Sequence, residues 1–293
     1  MVARDPATGE LGVAVQSHWF SVGSIVTWGR SGVGVVATQS MAEPAYGPRL
    51  LDRLAAGEAP GSALEAEIAA DDGARLRQVA VVDGGGGVAV HTGDGCIPFA
   101  GHVRGDGFSA QANLMASPEV WPAMAEAFEA TRGSLARRLL AALEAGEAAG
   151  GDVRGRQSAA LLVVAANGEP WRRKVELRIE DHPEPLAELS RLLTLHQAYE
   201  LATEAEELGA HGRYEEAGER GRRAVELAPD NPELLFWAGL ALAHQGQVEL
   251  GVGLVERSIE LHPGWRDLLR RLDHEIAPGA EAMRRALRLD APF

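Results

Sequence analysis

The sequence predicts an α+β chain in which antiparallel sheets stack face to face with helices on their outer faces, followed by an all-α segment. Short strands come in hairpins with helices inserted between them in pairs, unlike the alternating βαβ order of a parallel sheet. Several strands, Val33 to Ala37 among them, are apolar on both faces, as strands covered from two sides are. Beyond Pro183-Glu184-Pro185 no strand pattern recurs, and the remainder is rich in Ala, Leu, Glu and Arg. Domains are therefore expected at 1–185 and 186–293.

The first element is a hairpin: Val2 to Asp5, the turn Pro6-Ala7-Thr8-Gly9, and the alternating run Leu11 to Ser17. A sheet core thus begins at residue 2. One class of enzyme keeps its nucleophile on the first residue of such a strand, where the free α-amine serves as base for a Thr, Ser or Cys side chain. Here that residue is Met1, followed by Val2. Ser24 to Trp28 and Gly32 to Gln39 read as further strands, rich in β-branched residues and glycine.

Leu50, Leu51 and Leu54, then Ala63, Leu64 and Ile68, have helical spacing, with Gly57, Pro60 and Gly61 separating the two helices. Gln78 to Asp83 and Val88 to Thr92 form a second hairpin around Gly84 to Gly87, and a strand follows near Phe108 to Asn113. Helices at about 117–131 and 134–148 precede strands Ala159 to Ala165 and Lys174 to Glu180.

The C-terminal part carries an internal repeat. Gly212 matches Gly246, Ala217 matches Gly251, Leu227 matches Leu261 and Pro229 matches Pro263, all at a period of 34 residues. That period, with small residues at helix crossings and a proline ending the second helix, resembles the tetratricopeptide repeat in units 198–231 and 232–265. The tail to Phe293, with Leu268, Leu272, Met283 and Leu287, supplies a capping helix or a degenerate third unit. Such arrays bind peptides or protein surfaces, so a protein partner is expected through residues 196–293; the other reading is packing on the first domain or dimerisation.

Charge and composition remove several functions. The formal charge of −14 divides evenly, 17 basic against 24 acidic residues in 1–195 and 11 against 18 in 196–293, which leaves no cationic groove for nucleic acid. No run approaches the roughly 18 apolar residues of a membrane span, and no basic stretch leads into an apolar one as in a signal peptide. A cytoplasmic location is expected, consistent with the single cysteine, Cys96. Of 28 basic residues only Lys174 is lysine, and it follows Arg173, so no phosphate-binding P-loop is present. Alternation places Lys174 on the polar face of its strand. No serine sits in Gly-x-Ser-x-Gly, and the nine histidines show no close pairing, so neither a hydrolase elbow, a local metal site nor a cofactor is expected.

The polar loop Gly151 to Ser158 leads into an apolar strand. Within it Arg156 is suited to clamp a substrate carboxylate with Asp152 orienting it; the same pair equally reads as a latch fixing the loop. Asp181-His182 reads as a helix cap or as a general acid/base pair. Gln16, Ser17, His18, Thr38, Gln39, Gln111 and Asn113 fall at strand ends and together suggest a polar cleft. Cys96 has no neighbouring cation and reads as a packing residue.

Ala3-Arg4-Asp5-Pro6 with Gly9 to Ser17, Gly32 to Gln39, Tyr46-Gly47-Pro48, Thr92-Gly93, Ala100-Gly101-His102 and Gly155 to Ala160 resemble a bacterial domain of unknown function grouped with the N-terminal-nucleophile (Ntn) hydrolases. The likeness runs colinearly over about residues 1–195. It implies the four-layer αββα sandwich of that superfamily and hydrolysis of an amide bond; the hairpin start and the Gly155 to Ser158 loop add the expectation of a small-molecule or peptide-like amide substrate. Relatives begin with a few further residues, in a pattern like Thr-Phe-Ser-Ile, before the equivalent of Val2 to Asp5. A threonine nucleophile there is not among these 293 residues, and Arg30 stands in for the lysine that accompanies it. The expectation is that codons upstream of Met1 carry it or that the domain does not cut.

With residue 1 a methionine, the catalytic candidates are Ser17, Asp152 and Asp181, and the substrate-binding candidates are Gln39, Asn113, Arg156 and Gln157. Gln39 and Asn113 are expected to polarise the substrate carbonyl. The competing function is a catalytically silent ligand-binding or scaffold domain whose helical repeat recruits a partner. A homo-oligomer is expected from the exposed helices.

Overall fold

The computed structural model describes residues 1–289 and forms two compact units, Met1–Leu193 and the chain from Thr194 on. In the first unit every strand pairing is antiparallel. Strands β1 (Val2–Arg4), β2 (Leu11–Ser17), β7 (Gly101–Gly105), β8 (Phe108–Ala112), β9 (Ser158–Val164) and β10 (Arg173–Ile179) make a six-stranded sheet in the order β10-β9-β2-β1-β8-β7. Strands β3 (Thr27–Arg30), β4 (Gly34–Ser40), β5 (Arg77–Asp83) and β6 (Val88–Thr92) make a four-stranded sheet in sequence order.

Side-chain alternation divides the core. Along β1 and β2, Val2, Val13 and Val15 pack with Val35, Ala37, Ala80 and Val82 of the other sheet. The intervening Ala3 and Ala14 face the opposite way, onto α4 (Val120–Ala130) and α5 (Leu135–Ala148) through Phe128, Leu139 and Leu140. The far face of the four-stranded sheet, with Val36, Val79 and Val81, is covered by α2 (Tyr46–Ala55) and α3 (Pro60–Ala69) through Leu50, Leu54 and Leu64. Apolar burial on both faces is what the runs at Val33 to Ala37 and Val79 to Val82 require.

Two local expectations are corrected. Ser24 to Trp28 is not one strand: Gly23–Val26 forms a helical turn, α1, and β3 starts at Thr27. The chain crosses β9 there so closely that a Cβ on Gly23 would lie 2.4 Å from that of Ala160, and Ser158 Oγ accepts the Val22 N–H at 3.1 Å. The sequence reading also missed β7, an edge strand with Gly101 and Gly105 at its ends and exposed His102 and Arg104, which carries no apolar alternation.

The helix α6 (Pro185–Ala210) runs through the boundary between the units, and α7 (Tyr214–Leu227), α8 (Pro232–His244), α9 (Val248–Leu261), α10 (Gly264–Arg271) and α11 (Ala280–Ala286) follow. Both α7 and α9 have 14 residues, and each follows a glycine in the left-handed region, Gly212 (φ 76°) and Gly246 (φ 81°). Phe236, Leu240, Val255, Leu269 and Met283 form the core of this helical region. Residues 290–293, the end of the expected capping tail, lie outside the described residues. Among the described residues no helix is long and apolar enough to cross a membrane.

Candidate functional site

A cavity of about 420 Å3 opens where the ends of β2, β4 and β8 converge with the start of β5 and the loop after α5. Strand ends expose backbone and side-chain polar groups that strand middles bury, so the sheets deliver Gln16 and Ser17, Gln39 and Ser40, and Gln111 to this wall, with Asn113 just beyond β8. The head of β1 lies in the same wall. Met1 pairs with Ala14 in both directions, its amine donating to Ala14 O at 2.8 Å and its carbonyl accepting from Ala14 N at 3.0 Å. Burial pushes that amine down to about 5. With its amide nitrogen turned to Ser109 O (2.8 Å), Gln111 faces its oxygen to the same amine at 3.3 Å.

The wall is organised by a residue the sequence reading did not single out. Gln78, on β5, is fully buried, and its Nε2 lies 2.9 Å from Thr92 Oγ1, 2.9 Å from Ala112 O and 3.2 Å from Gly101 O. Those acceptors fix the amide's orientation, because the reversed amide would set its oxygen against two carbonyls. The Gln78 oxygen then receives Gln39 Nε2 at 2.8 Å and Asn113 Nδ2 at 3.2 Å. Each of these two amides keeps a second N–H beyond the one given to Gln78. The signal was present: Gln78 shares the inward face of its strand with Ala80 and Val82, where a polar side chain needs buried partners.

The charged groups of the wall are tied in pairs. Asp152 is buried and takes Arg154 Nε at 3.0 Å, Nη2 at 2.7 Å and the Arg154 backbone N–H at 2.9 Å, with the His18 N–H at 3.3 Å. Burial acts to raise the Asp152 carboxyl, and these donors outweigh it and hold it below the usual carboxylate range. Glu147 receives Gln16 and Arg156. Arg77 binds Asp71 at 2.9 Å and donates to Met41 O.

The candidates from sequence therefore separate. Ser17, Gln39, Asn113 and Asp152 line the cavity. The expected Asp152–Arg156 pair does not form: Asp152 holds Arg154, while Arg156 lies outside the wall between Glu147 and Glu184. Two residues later in the loop, the chain has turned through Gly155 (φ 99°) and aims its guanidinium at α5 instead. Gln157 and Asp181 also lie outside, bonded to each other at 3.2 Å, and His182 Nδ1 accepts the Glu184 N–H, so Asp181-His182 serves local chain geometry. Arg30 pairs with Asp52 and Lys174 with Glu10, both away from the wall. Cys96 is buried with its thiol on Arg77 O at 3.3 Å. Among the described residues no group of three or more His, Cys, Asp or Glu is arranged to hold a metal ion.

The model of a family of unknown function, DUF1028, matches residues 1–189. The chain belongs to that family. The DUF1028 match includes all ten strands and every residue of the cavity wall, and it ends within α6, before the helices from α7 on. A crystal structure of a DUF1028 protein from Silicibacter pomeroyi is similar, with 34% identity, a TM-score of 0.60, and coverage of 66% of this chain and 85% of that one. A comparison with curated proteins gave no match.

Proposed function

We propose that the DUF1028 region is an Ntn-type amidohydrolase scaffold whose cavity receives a small amide or peptide-like compound. The observation that carries this reading is the Gln39–Gln78–Asn113 arrangement, which turns two amide groups with unspent N–H donors into one polar cavity. Such donors suit a carbonyl oxygen that gains negative charge during attack. Two further features support it: the helix pairs outside two stacked sheets agree with an αββα sandwich, and the head of β1 sits in the cavity wall. Among the catalytic candidates Ser17 is the hydroxyl in that wall. The step to test is attack of its oxygen on the carbonyl carbon, with the C–N bond breaking and the hydroxyl proton passing to the departing amine nitrogen. Water then cleaves the acyl ester to the free acid and restores the hydroxyl.

The test is release of free amine from a panel of small N-acyl amides by the purified full chain, compared with Ser17→Ala. Release that falls at least a hundredfold in Ser17→Ala supports the reading with Ser17 as nucleophile. Release unchanged in that variant removes Ser17 from the role, and no release across the panel overturns the catalytic claim.

A second reading is favoured by the ion pairs of the wall, Asp152 with Arg154 and Glu147 with Arg156, which tie up the carboxylates that could serve as a base. In it the cavity binds a ligand without turnover and the helical region recruits a protein partner. The equal lengths of α7 and α9 and their matching glycine turns support a tetratricopeptide-like repeat. Cross-linking of the full chain in its host lysate tests this; partner cross-links confined to residues before 194 count against it.

A further inference from the structure

The rim and the interior of the cavity differ in chemistry. Trp19, Met41 and Ile97 line it and are 57%, 57% and 53% exposed, an arrangement that leaves three large apolar side chains at one opening in contact with water. Backbone hydrogen bonds fix the Ile97 side of this rim: Leu114 N to Ile97 O at 3.0 Å, Met115 N to Phe99 O at 3.2 Å, and Val153 N to Leu114 O at 3.1 Å. Phe99 and Val153 are exposed as well. Isolated exposed apolar residues are ordinary, but several converging on one opening mark a surface that is covered by something apolar in use.

The charge of the interior restricts what that is. The wall holds Arg77 and Arg154, Glu147 and Asp152. Each is already matched, Arg77 by Asp71, Arg154 by Asp152 and Glu147 by Arg156. A substrate carboxylate needs a guanidinium fork with free donors facing it, and a substrate ammonium needs an unmatched carboxylate. Arg154 gives Nε and Nη2 to Asp152, and Arg77 gives Nε and Nη1 to Asp71 and Met41 O, so each guanidinium keeps N–H donors but has its charge already answered by a carboxylate. Outside these charge-matched pairs the wall's polar groups are neutral, among them the second N–H of Gln39 and of Asn113. The volume of about 420 Å3 suits a compound of one or two residues' size.

We infer that the cavity selects small neutral amides bearing an aromatic or branched apolar group, with the carbonyl toward Gln39 and Asn113 and the apolar group against Trp19 and Ile97. The inference rests on the amide reading above for the carbonyl and goes beyond it in the substrate class. It assigns specificity to apolar rim residues and denies Arg156 a role in clamping a substrate carboxylate.

Calorimetric titration of the full chain near neutral pH with N-acetyl-L-phenylalaninamide, N-acetylglycinamide and N-acetyl-L-phenylalanine tests it. The first is expected to bind about tenfold or more tightly than the second, which lacks the apolar group, and than the third, which carries a carboxylate. Trp19→Ala and Ile97→Asp, both at exposed positions that do not hold the core, are expected to bring the phenylalaninamide down toward the glycinamide. Equal or tighter binding of the free acid, binding indifferent to the apolar group, rim variants without effect, or no binding of any probe overturns the inference. Turnover is read separately: selective binding without amine release overturns the amidohydrolase reading and leaves this one standing, whereas preferred turnover of the free acid does the reverse.

Discussion

Gln78 Oε1 accepts the side-chain N–H of Asn113 at 3.2 Å and so joins the start of β5 in one sheet to the end of β8 in the other. The same oxygen holds Gln39, and the same amide nitrogen reaches Ala112 O, so this one buried side chain serves both sheets. Gln78→Leu keeps the volume and deletes every one of these bonds. It leaves buried polar groups on both sheets unpaired, which is expected to cost about 2–4 kcal/mol. Urea unfolding should show a lower midpoint at an unchanged slope. A loss under about 0.5 kcal/mol would mean that water replaces the Gln78 amide without penalty.

The Asp152–Arg154 pair makes a pH-dependent prediction. Because the folded carboxyl is held below its unfolded value, its contribution to stability is complete above the unfolded pKa and is lost as pH falls through the folded one. Asp152→Asn removes the charge in near-identical volume, and at pH 7 it is expected to cost about 1–3 kcal/mol, since Arg154 and two backbone N–H groups lose their anion. The gap between wild type and variant should begin to narrow below about pH 4, the unfolded carboxyl's range, and close only as pH falls through the lower folded value. Urea midpoints measured from pH 7 to pH 2.5 check this; a constant gap across that range would show that the charge is not the stabilising feature.

What the sequence disclosed, and what it hid, follows from the range of the forces involved. Alternation and turn chemistry act over a few residues, so the hairpin at Val2 to Ser17, the pair at Gln78 to Thr92 and the helices around Leu50 and Leu139 were legible. The edge strand Gly101–Gly105 was not, because an exposed strand between glycines has no apolar face to display. In the site, Ser17, Gln39 and Asn113 were found because polar residues at strand ends are visible locally. Their organiser, Gln78, shows locally only as a polar residue on an apolar strand face; its partners lie 14 to 39 positions away, and no local pattern reports which they are. Asp152 lines the cavity with Arg154, not the expected Arg156, as its partner: whether Arg154 or Arg156 turns inward depends on the bend at Gly155 and on Glu147 waiting on α5.

In the helical region the crossing of α8 and α9 depends on two glycines. A Cβ on Gly251 would lie 2.4 Å from Gly239 O, and one on Gly239 would lie 2.8 Å from Gly251 O. Gly251→Ala must therefore push backbone away from backbone, at about 1–3 kcal/mol. Gly253, on the same helix, is exposed with nothing within 4 Å of its Cβ position, and Gly253→Ala should stabilise by about 0.5–1 kcal/mol through helix propensity. Hydrogen exchange of amides in α8 and α9 reads both variants, and opposite signs are required; destabilisation by both would point to a general intolerance of the helix rather than to the crossing.

Ser158 controls the segment that carries the rim tryptophan. Its hydroxyl accepts the Val22 N–H at 3.1 Å and donates to Trp19 O at 2.5 Å, so the first residue of β9 clamps both ends of the bend from 19 to 22. Ser158 is itself fully buried, and Ser158→Ala leaves the Val22 N–H without an acceptor at an expected cost of about 1–2 kcal/mol. The effect should be local. Because β9 remains held by β2 and β10 through its backbone ladder, exchange should accelerate at Val22 and Ile25 by about tenfold for each 1.4 kcal/mol of local opening, while Leu161 and Val163 stay protected. If the segment instead exchanges no faster in Ser158→Ala, the bend is held by the packing of Val22 and Val26 in the inter-sheet core, and the hydroxyl is a consequence of the bend rather than its cause.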